Sequence, residues 1–164
     1  MFFKTFFGNR DTFVPIKFKN RKFIIDYAHT PDALETSLKN ARKLDPKRLI
    51  VLFGCGGDRD HSKRPQMCKA ACQEADVIIV TDDNSRTEDP AKIRQEIMVN
   101  CDLKKAIEIA GRKDAIEKSL QMLKKGDIII LAGKGHEKHQ SIDGRKIAFD
   151  EGRIVKKFIR NTPY

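Results

Sequence analysis

Val77-Ile78-Ile79-Val80-Thr81-Asp82-Asp83-Asn84-Ser85-Arg86 is the stretch that decides the fold. An unbroken run of β-branched apolar residues suits a strand buried on both faces, as in a parallel sheet covered by helices. In such sheets the ligand crevice lies outside the carboxyl ends of the strands. The two acids, amide, hydroxyl and arginine that follow therefore mark a candidate site. The pattern recurs. Residues 23–25 run into Asp26-Tyr27-Ala28-His29-Thr30-Pro31, and residues 49–53 into Gly54-Cys55-Gly56-Gly57-Asp58-Arg59-Asp60. Residues 128–131 run into Ala132-Gly133-Lys134-Gly135-His136-Glu137. One shared rim of strand ends accounts for all of these runs.

Helix signals fill the intervals. Thr30 is placed to cap a helix with Pro31 at its first position and Asp32 in its first turn. Leu34, Leu38 and Ala41 then form an apolar stripe, and Pro46 closes the segment. Residues 62–75 read as a second helix, with Pro65 in its first turn. Asp89-Pro90 opens a third, with Ile93 and Ile97 on one face. After a short strand at 106–109, Gly111 opens a helix striped by Ile116, Leu120 and Leu123. Gly126 is expected in the C′ position of that helix. Residues 141–149, centred on Asp143-Gly144, read as a hairpin. Asp150 caps a last helix carrying Ile154, Val155, Phe158 and Ile159. Strands alternating with helices predict an α/β doubly wound domain with a mainly parallel sheet, helices on both faces and a short C-terminal hairpin. Residues 1–20 show no clean period and are expected to be an ill-defined leading segment.

A chain of 164 residues with 40% hydrophobic and 34% charged residues is long enough, and mixed enough, for one globular domain. No apolar run is long enough to cross a bilayer, so no membrane partner is expected. The start, Met1-Phe2-Phe3-Lys4-Thr5-Phe6-Phe7, is apolar but short, and no small-residue cleavage site follows it. A net charge of +10 has two readings, a polyanion partner or a lysine-rich solvated surface. The basic residues are dispersed, and with no Trp and two Tyr there is no base-stacking strip, so no nucleic acid is expected. Cys55, Cys68, Cys72 and Cys101 form no C-x-x-C pair and read as core thiols of a reducing cytosol. No metal site is expected from them.

The rim residues carry the chemistry. The loop at 54–57 is neither a G-x-G-x-x-G fingerprint, since Arg59 stands at the third glycine position, nor a phosphate loop of the ATPase kind. Its glycines admit two readings, close approach of backbone to a ligand or a tight turn. Arg59 and Arg86 each follow a buried strand, and guanidinium forks suit carboxylates or phosphates. Asp83 and Glu137 share the rim and suit ammonium groups. Both signs in one crevice fit a ligand that itself carries both, such as an amino acid; internal salt bridging among the four is the other reading. His29 and His136 meet a phosphate or cap turns.

At these residues the chain resembles the Mur ligases. Asp26-Tyr27-Ala28-His29-Thr30-Pro31-Asp32-Ala33-Leu34-Glu35, the run from Phe53 to Asp60 with Lys63-Arg64-Pro65, and Ala132-Gly133-Lys134-Gly135-His136-Glu137 are similar to family motifs in order and spacing. The fourth match is Asp83-Asn84-Ser85-Arg86, which resembles the aspartate-asparagine-proline-arginine of the branch that adds diaminopimelate to the peptidoglycan stem. The resemblance implies a Rossmann-like C-terminal domain over residues 21–164. It also implies an ATP-dependent amide-forming ligase acting on UDP-N-acetylmuramoyl-L-alanyl-D-glutamate in the cytoplasm. It implies that Arg59, Asp83, Asn84, Ser85, Arg86, Gly133 and Glu137 contact meso-diaminopimelate, and that Asp26 and His29 sit toward the nucleotide. ATP and Mg2+ are expected mainly on domains outside this chain, which alone is expected to be inactive. Either it works with those domains or it is a detached amino-acid-binding remnant; a basic nucleic-acid-binding domain is a third reading. Two departures stand out. Ser85 replaces the motif's proline, and Val14-Pro15-Ile16-Lys17 stands near the place of the family's proline-glycine-arginine segment.

Overall fold

A computed structural model describes residues 13–162. Its centre is a six-stranded sheet ordered β1-β2-β6-β3-β4-β5. The strands are β1 (Phe13–Phe18), β2 (Arg21–Asp26), β3 (Leu49–Phe53), β4 (Val77–Val80), β5 (Ala106–Glu108) and β6 (Ile128–Ala132). All neighbouring pairs are parallel except β1 with β2. Every residue of β3 and β6 is buried, which is why these strands read as unbroken apolar runs.

Helices cover both faces. Helices α1 (Pro31–Arg42), α2 (Lys63–Glu74) and α3 (Pro90–Met98) bury Leu34, Leu38, Met67, Ala71, Ile93 and Ile97 against one side. Helices α4 (Arg112–Met122) and α5 (Glu151–Asn161) bury Ala115, Ile116, Leu120 and Val155 against the other. Two of the helix starts close as their sequences dictate. Thr30 Oγ1 accepts from Ala33 N, and Asp89 Oδ1 from Ala91 N at 2.9 Å. Strands β7 (His139–Ile142) and β8 (Arg145–Ala148) form the separate hairpin, turning through Asp143 and Gly144 at φ +49° and +68°.

Three expectations are corrected. Part of the stretch without a period, Phe13–Phe18, is an edge strand, joined to β2 through Lys19 and Asn20 at φ +47° and +57°. It is legible only through this turn, since one short strand carries little periodicity. The phenylalanines at positions 2, 3, 6 and 7 lie outside the described residues. Gly126 is not the C′ residue of α4, which ends with Leu123 in an extended conformation. Its φ of +93° instead serves a turn that donates to Asn20 O and accepts from Lys47 N. Finally, Cys68 and Cys101 are joined in a disulfide, their Cα atoms 5.4 Å apart. Cys55 and Cys72 are free. The pair stands where α2 packs on α3, across a gap that residue spacing does not reveal.

Candidate functional site

Parallel registry brings the strand ends level. Asp26 of β2 lies beside Ala132 of β6, Leu52 of β3 beside Leu131, and Phe53 beside Val80 of β4. The loops that follow these four strands enclose a cleft of about 410 Å³. Arg59, Asp83, Asn84, Arg86, Gly133, Glu137 and His29 all line it.

The two acids after β4 have opposite duties because neighbouring residues of extended chain point to opposite sides. Asp82 turns inward, where Oδ1 receives Arg94 and Oδ2 accepts from Gly111 N at 2.7 Å. It fixes α3 and the start of α4. Asp83 turns to the cleft, and its Oδ1 accepts from Asn84 N at 2.7 Å. Asn84 is fully engaged. Its Oδ1 accepts from Ser141 N at 2.9 Å and Lys134 Nζ at 3.0 Å, while Nδ2 donates to Glu137 Oε2 at 3.2 Å.

Arg86 sits at φ +53°, a left-handed conformation for a residue with a side chain. The hairpin holds it there: Arg86 N donates to Ser141 O at 3.0 Å, and Gly144 N donates to Arg86 O at 3.3 Å. Gln140 Nε2 adds a bond to Asp83 O at 2.9 Å. The hairpin is therefore a strap across the 83–86 loop. Arg59 lines the cleft beside Gly56, close to Arg86, without an ion pair among the described residues.

Gly54 and Gly57 settle the two readings of the glycine loop. A Cβ at Gly54 would meet Thr81 O at 2.3 Å, and one at Gly57 would meet Ser85 O at 1.9 Å. Both glycines let the loop after β3 pack, backbone to backbone, on the loop after β4. Gly54 and Gly56 also line the cleft, Gly56 beside Arg86 Nη1. Behind them Arg64, 1% exposed, donates to Glu88 at 2.9 Å, Glu96 at 2.7 Å and Gly56 O at 3.3 Å. Burial pushes the Cys55 thiol up to about 12, helped by the Asp83 carboxylate, so it is no thiolate nucleophile.

Two expected residues, Ser85 and Asp26, are not among those lining the cleft. Ser85 is buried behind the cleft, 2% exposed, with an Oγ that finds no hydrogen-bond partner. Asp26 is engaged inside the fold: Oδ2 accepts from Ser37 Oγ at 2.5 Å, and its carbonyl receives Gly133 N and Gly135 N. His29 donates from Nδ1 to Tyr27 O at 2.9 Å, and the Tyr27 ring lies between His29 and His136. Salt bridging within the crevice is real but runs through a residue that spacing did not single out. Lys134 is fully buried with Nζ 3.2 Å from both Asp83 and Glu137. Its signal in the sequence was its flanking by Gly133 and Gly135. Arg112, also buried, donates to Glu151 at 2.7 Å and to Ala132 O at 2.7 Å beneath the same loops. No sequence pattern marks it.

The family model described as "Mur ligase, glutamate ligase domain" matches residues 10–135. The chain belongs to the Mur ligase family. Within Mur ligases it corresponds to the C-terminal domain, and the three relatives named next share one description. The UDP-N-acetylmuramoyl-L-alanyl-D-glutamate–2,6-diaminopimelate ligase of Clostridium botulinum is 44% identical over 137 residues, 84% of this chain and 28% of its own length. The protein of the same name from Rickettsia bellii is 52% identical over 133 residues, 80% of this chain and 28% of its own. A solved structure of a ligase of that name superposes with a TM-score of 0.88 at 41% identity, covering 93% of this chain and 32% of that one. The chain thus spans under a third of the length of the Mur ligases it matches. No helix among the described residues is long and apolar enough to cross a membrane.

Proposed function

We propose that this chain is the amino-acid-binding domain of a ligase that joins meso-diaminopimelate to UDP-N-acetylmuramoyl-L-alanyl-D-glutamate, with residues 21–164 as that domain. The observation that carries the reading is the cleft itself, which Arg59, Arg86, Asp83 and Glu137 line together. Diaminopimelate differs from lysine by a second carboxylate, so its far end is a zwitterion and needs both signs. Arg86 supplies a fork for the carboxylate, while Asp83 and Glu137 supply acceptors for the ammonium. The printed name of the relatives above names the same amino acid. Asn84 and Gly133 shape the wall between them, and Asp26 and His29 stand toward the nucleotide.

ATP and Mg2+ belong to the reaction in this proposal, but the residues described here do not fit a metal. No group of three or more His, Cys, Asp or Glu side chains converges among them. The glycines at 54 and 57 pack the loop after β3 on the loop after β4. The domain's own part is to bind and orient the amino acid, whose amine is the nucleophile of the ligation.

Calorimetric titration of the chain with meso-diaminopimelate, L-lysine and D-glutamate tests the reading. Binding of diaminopimelate in preference to the other two is expected. Equal affinity for lysine would remove the role given to Arg86. Combining the chain with the remainder of a diaminopimelate ligase should restore diaminopimelate-dependent ATP turnover.

A further inference from the structure

Lys134 has no part in the function just proposed, yet it lies buried behind the cleft and pairs with two of its carboxylates, Asp83 and Glu137. Its Nζ lies 3.2 Å from Asp83 Oδ1, 3.0 Å from Asn84 Oδ1 and 3.2 Å from Glu137 Oε2, with the side chain fully buried. Its backbone is fixed as well. Gly133 and Gly135 flank it at φ +112° and +54°, and both donate to Asp26 O. A Cβ at Gly135 would strike Tyr27 at 2.8 Å, so the loop has no room to swing the ammonium away.

This arrangement has an electrostatic consequence. Asp83 and Glu137, the acceptors given to the ligand's ammonium, already share the positive charge of Lys134, and Arg59 and Arg86 line the same cleft. A zwitterionic end adds no net charge there. A bare ammonium end adds a positive charge to carboxylates that already hold Lys134, in a site where burial weakens screening.

We propose that Lys134 is a specificity-determining positioning residue: an internal ammonium that half-occupies Asp83 and Glu137, and so favours amino acids with a zwitterionic side-chain end over those with a cationic one. The inference rests on the amino-acid-binding reading above and adds the source of its selectivity. Without Lys134 the two carboxylates lose an internal counter-charge and become a better site for lysine.

The test is a calorimetric titration of the full chain with meso-diaminopimelate and with L-lysine. The wild-type chain should favour diaminopimelate, and Lys134→Arg should keep that ratio. Lys134→Met should move the ratio toward lysine by about tenfold or more, the scale of one charge-assisted contact. Adding Glu137→Gln to Lys134→Met removes one carboxylate along with the ammonium and should move the ratio back. An unchanged ratio in Lys134→Met, or an equal loss for both ligands, overturns the inference and leaves Lys134 a purely structural residue. If Lys134→Met does not fold, Glu137→Gln alone decides. Lys134 then faces one carboxylate fewer, which should push the ratio further toward diaminopimelate, and an unmoved ratio overturns the idea. A wild-type chain that binds neither ligand overturns the amino-acid reading itself. One that binds diaminopimelate with a ratio indifferent to Lys134 overturns only the present inference.

Discussion

Arg86 donates from Nη1 to the carbonyl of Gly57 at 2.5 Å, across 29 positions of sequence. One nitrogen of the guanidinium therefore clamps the neighbouring loop while the group lines the cleft. Arg86→Ala should weaken diaminopimelate binding by tenfold to a hundredfold, from a charge-assisted contact of roughly 1.5–3 kcal/mol. Lysine, which lacks the distal carboxylate, should lose far less. Arg86→Lys should rescue poorly, because an ammonium has no planar fork to hold Gly57 and a carboxylate together. Parallel titrations with both amino acids check this, and equal losses would reduce Arg86 to a loop clamp.

Ser85→Pro should stabilise the fold. The serine hydroxyl is buried without a partner, and the motif that residues 83–86 resemble has proline at this position. The substitution removes an orphaned polar group and narrows the unfolded ensemble, a gain of roughly 0.4–1 kcal/mol where the backbone accepts proline. Urea unfolding midpoints measure it. A lower midpoint would mean that the Ser85 N–H or its φ is needed as it stands.

Reduction should cost stability. The Cys68–Cys101 bond closes a loop of sequence separation 33, and constraining such a loop in the unfolded chain is worth roughly 2–4 kcal/mol. Cys68→Ser, or a strong reductant, should lower the unfolding free energy by about that amount. Midpoints that are indifferent to reductant would show that the bond does not form in solution.

Glu88 predicts an acid limb. The Arg64 hydrogen bond holds its carboxyl at about 2 against an ordinary 4.5, with the Asp58 N–H adding to the effect against opposing burial. A carboxylate depressed in the folded state stabilises fully above its unfolded value. That contribution is lost as pH falls from about 4.5 through about 2. Glu88→Gln should therefore show a shallower loss of stability over this window than the wild type. Superimposable acid titrations of the two would contradict the assignment.

What the sequence disclosed follows from where the constraints lie. Strands β3, β4 and β6 are buried so completely that little besides Ile, Val, Leu and Phe is tolerated, and they read directly. Thr30, Asp89 and Asp150 read as caps because a cap acts over two or three residues; Asp150 Oδ1 accepts from Arg153 N at 3.0 Å. The cleft was legible as a rim because strand ends in a parallel sheet share an edge. Lys134 was not, since lysine is normally solvated and only the fold reveals that it is fully buried with three acceptors. Arg112 and the Cys68–Cys101 pair escaped for the same reason, their partners being 20 to 39 positions away. Gly126 misled because a positive φ serves a turn as readily as a helix end.

The packing of Gly54 and Gly57 against Thr81 and Ser85 has a consequence for transplantation. Two loops that touch backbone to backbone, and are clamped again by Arg86, leave no slack for one to be exchanged alone. Grafting residues 83–86 onto another parallel-sheet scaffold would carry the chemistry but not the shape, because the recipient's own loop would stand where glycine must be. The portable unit is the pair of loops with the hairpin that straps them. A ligand arriving at that unit meets a surface already formed, so selectivity among amino acids should appear in how long each stays rather than in how fast each arrives.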